Sequence, residues 1–165
     1  MRTDTKRLTL LGLSVALAMI LSYVEFLLPP IISAVPGIKL GLTNVIILYV
    51  FFKSGELDAA LVSAVRLFLS ALLFGSFLTF LYSFAGALFS FLVMLALKKS
   101  KLFSTVGVSI GGGVFHNLGQ IIMAIIVLGT REIGYYMIIL TFTGTLSGFL
   151  IGILAAIMIK RVKAR

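Results

Sequence analysis

Residues 8–28 read LTLLGLSVALAMILSYVEFLL, a long apolar run that holds a single charged residue, Glu25, and is closed by Pro29-Pro30. A helix rises about 1.5 Å per residue, so some twenty apolar residues cover the roughly 30 Å hydrocarbon core of a bilayer. Arg2, Lys6 and Arg7 precede the run as they would in a signal peptide. The run nevertheless ends without a small-residue cleavage pattern and is followed by further apolar runs, so it reads as a retained helix. Working outward from it, the expected spans are 8–28, 42–52, 59–74, 77–97, 103–128 and 135–159, a six-helix, all-α membrane bundle in one domain over residues 1–165. The second span is short, and the uncharged loop Ile31 to Pro36 before it reads as a segment dipping into the protein, which is tolerated only where protein shields its backbone.

Composition supports lipid as the solvent. The 165 residues are 61% hydrophobic with a mean hydropathy of +1.22, against about 45–50% apolar content in soluble domains. The net charge of +9 sits at the chain ends and in short loops, which favours anchoring against anionic lipid over nucleic-acid binding. With the N-terminus inside, the inner Lys and Arg residues are Arg2, Lys6, Arg7, Lys53, Lys98, Lys99, Lys101, Lys160, Arg161, Lys163 and Arg165, and the outer ones are Lys39 and Arg131. That asymmetry puts both termini in the cytoplasm. The chain has no cysteine, which excludes disulfides, thiolate metal sites and a cysteine nucleophile.

Small residues recur every fourth position: Gly144, Gly148 and Gly152 in the last span, and in the first Gly12 with Ala16, and Ser14 with Ala18 and Ser22. Such rows let helix backbones approach closely, which is how helices associate in lipid. The last row reads as internal packing, and the first-span rows are also open to a partner helix.

Ionisable groups inside spans cost about 2.5–3.5 kcal/mol each at the centre on insertion scales, so each is a functional candidate. They are Glu25, Arg66 and His116, with the amides of Asn44, Asn117 and Gln120. Arg66 offers a planar fork suited to carboxylate or phosphate, or it pairs structurally with Glu25 or with backbone carbonyls. His116 and Gln120 are four apart and Asn117 is three before Gln120, so the three share one helical sector. Gly111-Gly112-Gly113 just before them makes that helix thin, leaving room for a neighbour or a ligand. With no second histidine, a metal site is not expected. Arg131 and Glu132 form either the mouth of a pocket or a solvated turn. Asp4 and Asp58 are isolated and outside the spans, so an Asp-rich magnesium–diphosphate site cannot be built, and no Gly-x-x-x-x-Gly-Lys loop is present. No catalytic residue and no cofactor is expected.

Four motifs carry a resemblance: Pro36-Gly37-Ile38-Lys39-Leu40-Gly41-Leu42-Thr43-Asn44, Arg66 with Phe74-Gly75-Ser76, Ser83-Phe84-Ala85-Gly86-Ala87, and Phe115-His116-Asn117-Leu118-Gly119-Gln120. Together they resemble the Gx transporter family, whose members are commonly labelled heptaprenyl diphosphate synthase component I. That family in turn resembles the S components of energy-coupling-factor transporters, six-helix proteins of the bacterial cytoplasmic membrane. The resemblance implies an outward ligand pocket under the loop Pro29 to Gly41, and a contact face for a membrane coupling subunit and its ATPases made by Ser14, Ala18 and Ser22 or by Gly12 and Ala16. The expected function is a substrate-binding membrane subunit for a small compound, anionic or isoprenoid- or quinone-related. Arg66, His116, Asn117 and Gln120 would line its pocket, Lys39 and Asn44 would lie near the cap, and Glu25 near the mouth. The synthase label implies the alternative, a non-catalytic membrane component of polyprenyl diphosphate synthesis beside a soluble synthase subunit.

Overall fold

Apolar runs in lipid must satisfy their backbone groups within themselves, and helices do so. The structure, a computed structural model, describes residues 2–28, 41–129 and 131–162, and every regular element in them is helical. In chain order these are α1 (Arg2–Leu27), α2 (Thr43–Lys53), α3 (Glu56–Leu73), α4 (Phe77–Ser100), α5 (Thr105–Leu128), a 3₁₀ segment (Arg131–Tyr136) and α6 (Met137–Arg161). The segment expected to dip into the protein, Ile31 to Pro36, lies outside the described residues.

Turn chemistry explains the boundaries. At the tight α3–α4 connection the Ser76 hydroxyl accepts from the Thr79 amide (3.2 Å) and the Thr79 hydroxyl accepts from the Ser76 amide (2.7 Å), a reciprocal cap that starts α4. Helix α5 stops at Gly129, whose φ of +66° closes the last turn in the left-handed region.

Among the described residues, four stretches are long and apolar enough to cross a membrane: Thr5–Leu27, Phe77–Ser100, Thr105–Leu128 and Arg131–Arg161. The six helices stand as expected, and α2 and α3 fall outside this measure of a full crossing. Helix α2 has 11 residues, about 16 Å of rise, and α3 carries Glu56, Asp58 and Arg66. Their neighbours resolve the difficulty for α2. Its run from Val45 to Phe51 is buried throughout, with Val50 and Phe51 fully so, as suits a helix that is apolar on every side and enclosed by others. The outer helices instead expose large apolar side chains such as Leu72, Phe77 and Phe142, a belt that water would not tolerate at this extent.

Backbone-to-backbone packing joins α5 to both α4 and α6. A Cβ on Gly119 would lie 2.6 Å from the Ala85 carbonyl oxygen, and one on Gly148 would lie 2.7 Å from that of Ser109. The row Gly144, Gly148 and Gly152 thus faces α5 inside the chain, where dispersion between closely approaching backbones supplies the attraction. In the first helix Ser14, Ala18 and Ser22 are buried as well. Ser22 shares a 2.9 Å hydrogen bond with Thr43 of α2, and the Ser14 hydroxyl donates to the Leu10 carbonyl. That row is spent on internal packing, and of the two faces considered for a partner only Gly12 and Ala16 remain outward.

Charged side chains tie together the end of the bundle where α1 and α3 begin. Arg7 pairs with Asp58 across α1 and α3, its Nε 3.1 Å from Oδ1. Lys98 of α4 donates to the Phe51 carbonyl in the last turn of α2 (2.8 Å), meets Glu56 at 2.8 Å and lies 4.5 Å from the Phe51 ring centroid. One ammonium thus satisfies an orphan carbonyl at a helix C-terminus and a neighbouring carboxylate. The hydrogen bond from Lys98 holds the Glu56 carboxyl below its ordinary 4.5. A depressed folded value means that this contribution is complete above about pH 4.5 and is lost as pH falls through the folded value. Thermal midpoints taken from pH 7 to pH 3 should therefore fall less for Glu56→Gln than for the wild type. Equal falls would show that the contact contributes nothing.

Candidate functional site

Each wall of the site follows from polar residues spaced at helical intervals. On α3, Ser63, Arg66 and Ser70 recur at three and four residues and so share a face. On α4 the same holds for Thr79, Ser83, Ala87 and Ser90, and on α5 for Ser109, Gly112, Gly113, His116, Asn117 and Gln120. These faces converge with Ser22 and Glu25 of α1, the start of α2 and Ser147 of α6 around one cavity of about 160 Å³. Phe26, Phe74, Phe80 and Phe91 contribute aromatic walls, with Phe26 and Phe74 in ring contact at 5.3 Å.

Arg66, His116, Asn117, Gln120, Asn44 and Glu25 all line this cavity. Lys39 lies outside the described residues. Arg66 stands mid-helix, and its Nε is a buried donor with no hydrogen-bond partner. The structural pair between Arg66 and Glu25 weighed from the sequence is not formed. The ion pairs among the described residues are Arg7–Asp58 and Lys98–Glu56.

Glu25 is occupied elsewhere. It accepts from the Leu42 amide at 2.7 Å and from the Thr43 hydroxyl at 3.2 Å. A carboxylate at a helix N-terminus meets unsatisfied amides and the positive end of the dipole, so Glu25 caps α2. Leu42, the residue that precedes this helix, has no side-chain acceptor to offer. Sequence reasoning saw Glu25 as a buried charge and missed this role, since the cap joins residues 17 apart in the chain.

Asn117 divides its duties. Its Nδ2 donates to the Leu140 carbonyl of α6 at 2.6 Å, fixing α5 against α6 while the residue stays on the cavity wall. Gly86 explains how His116 and Gln120 fit beside α4, because a Cβ there would lie 2.9 Å from atoms of both side chains. The lining serines were also missed from the sequence, although their spacing with Arg66 on α3 and with Thr79 on α4 was a usable signal.

The described residues of the site can hold a ligand by the Arg66 cation, several polar donors and acceptors, and aromatic walls, inside a bundle with helices long enough to cross a membrane. These features define a helical membrane-type protein built around a polar internal cavity. Residues 14–158 match the family described as heptaprenyl diphosphate synthase component I, and the chain belongs to that family. Among curated proteins and among solved structures, nothing matches it.

Proposed function

We propose that this chain is the substrate-binding membrane subunit of a transport system for a small anionic compound, which it holds on Arg66. The observation that supports this reading is the Arg66 guanidinium itself, on a polar cavity wall, with a buried Nε that no protein group accepts from. Leaving a buried donor unpaired costs about 1–3 kcal/mol, and a charge at bilayer depth adds to that cost. A bound anion offsets both. The protein lies in the bacterial cytoplasmic membrane with its termini inside. Lys6 and Arg7 lie early in α1, and Lys53, Lys98, Lys99, Lys160 and Arg161 lie in the last turns of α2, α4 and α6, a pattern in keeping with the positive-inside rule. Energy comes from a partner, a membrane coupling subunit with ATPases, and Gly12 and Ala16 on the outer face of α1 are its contact.

The family description favours a second reading, a non-catalytic membrane component of heptaprenyl diphosphate synthesis. Native mass spectrometry of protein released from membranes distinguishes the two. A retained small anion with co-purifying ATPase subunits is the expected result. A retained prenyl diphosphate, together with faster product formation when the chain is added to a soluble prenyl synthase, would establish the second reading instead.

A further inference from the structure

A hydroxyl on an apolar helix commonly donates to the carbonyl one turn back. Thr9, Ser14, Thr141 and Thr145 of this chain do so at 2.8–2.9 Å. Ser63, Ser83, Ser90 and Ser109 line the cavity from α3, α4 and α5, and their hydroxyls make no hydrogen bond with any of the described residues. Ser109 stays unpartnered although it is only 5% exposed, as does the buried Nε of Arg66 on the same cavity wall. We propose that the ligand is a hydroxylated acid, held by its anionic group on Arg66 and presenting hydroxyls to Ser63, Ser90 and Ser109. The inference rests on the anion-binding reading of Arg66 and names the class of compound.

Position along the helices gives the ligand a direction. Arg66 lies seven residues before the end of α3 at Leu73, and Ser90 thirteen past the start of α4 at Phe77. By helical rise Ser90 is therefore about 9 Å farther from the turn that joins these helices. Gly112 of α5 backs onto Ser90, a Cβ there lying 3.1 Å from its hydroxyl oxygen, and Ser109 is three residues nearer the start of α5. Ser63 precedes Arg66 by three residues on the same face of α3. These three hydroxyls thus lie beyond the guanidinium, on the side away from the α3–α4 turn. An apolar chain reaching them would leave all three unpaired, and a buried polar group without its hydrogen bond is costly. A ligand hydroxyl both donates and accepts, so it can answer each serine. Sites that hydrogen-bond a substrate hydroxyl reject the analogue lacking it far more strongly than an apolar pocket rejects an extra methylene. A prenyl chain is such an analogue.

Two pairs of carboxylates test the inference at equal charge: gluconate against hexanoate, and shikimate against benzoate. Affinity is read by calorimetry on the detergent-purified chain. In at least one pair the wild type should bind the hydroxylated member about tenfold or more tightly than its partner, and Arg66→Gln should abolish that binding. Ser63→Ala and Ser90→Ala should each cut the preference by about fivefold, the worth of one hydrogen bond. They lie on different helices, so either serves if the other does not fold. Arg66-dependent binding of hexanoate and benzoate that equals or exceeds that of gluconate and shikimate would overturn the hydroxyl inference and leave the anion site standing. A preference that both serine variants leave unchanged would do the same. If none of the four binds in an Arg66-dependent way, the hydroxyl inference and the anion site both fail.

Discussion

Arg66→Gln is expected to weaken binding of the native ligand about 100-fold or more while leaving the ligand-free protein as stable as the wild type or slightly more so. The two halves of this expectation have separate causes. Removing one side of a buried ionic contact costs about 3–5 kcal/mol, and each 1.4 kcal/mol is roughly tenfold in affinity. The same guanidinium contributes little to the fold, since its Nε has no acceptor and, among the described residues, no carboxylate stands within ion-pair distance. Replacing an unsatisfied buried donor with a neutral amide relieves a cost of about 1–3 kcal/mol. Arg66→Lys keeps the charge and loses the planar fork, so it should fall between the two. Ligand retention and thermal midpoint, measured on the same preparations, check both halves. A large drop in midpoint for Arg66→Gln would mean that Arg66 holds the bundle together and is not there for a ligand.

Gly113→Leu should abolish the folded protein, and Gly113→Ala should destabilise it by about 2–3 kcal/mol, at the upper end of ordinary overpacking costs. A Cβ at Gly113 runs into the carbonyl oxygen of Gly144, backbone that cannot rotate away as a side chain would. The same contact region holds Asn117 against the Leu140 carbonyl, so separating α5 from α6 would also spoil the cavity wall. Gly12→Ala is the matched control, since nothing lies within 4 Å of a Cβ there, and it should stay within about 0.5 kcal/mol of wild type. Thermal unfolding in detergent, followed by circular dichroism, gives all three values.

The helices were legible because hydropathy runs report on solvent, and in lipid the backbone has few alternatives to α-helix. Arg66 and the His116 cluster were legible for a related reason, as polar groups are too costly in apolar runs to be there by chance. Other features depend on tertiary placement. That α2, short as expected, is enclosed by the bundle follows from the burial of Val45 through Phe51, which a 3.6-residue period cannot show when every face is apolar. The outward or inward sense of the first-span rows was likewise undecidable from spacing. The row of Ser14, Ala18 and Ser22 and the row of Gly12 and Ala16 have the same period, and their burial, together with the meeting of Ser22 and Thr43, separates them. The cap of α2 by Glu25 and the hold of Lys98 on Phe51 join residues far apart in the chain, so neither leaves a local signature.

The central claim is that Arg66 shares one polar cavity with residues of α4 and α6, and the cysteine-free chain allows it to be tested by placing single cysteines. Thiolate, the reactive form, persists in a hydrated polar site and not against lipid. The measurement is the rate at which a small anionic methanethiosulfonate labels Ser83→Cys and Ser147→Cys, both on the cavity wall, beside Phe142→Cys on the exposed apolar belt. Labelling of the first two that slows for the anionic reagent alone when Arg66→Gln is added is the predicted result. Cavity cysteines as inert as the one at Phe142, or rates indifferent to Arg66, would contradict the account.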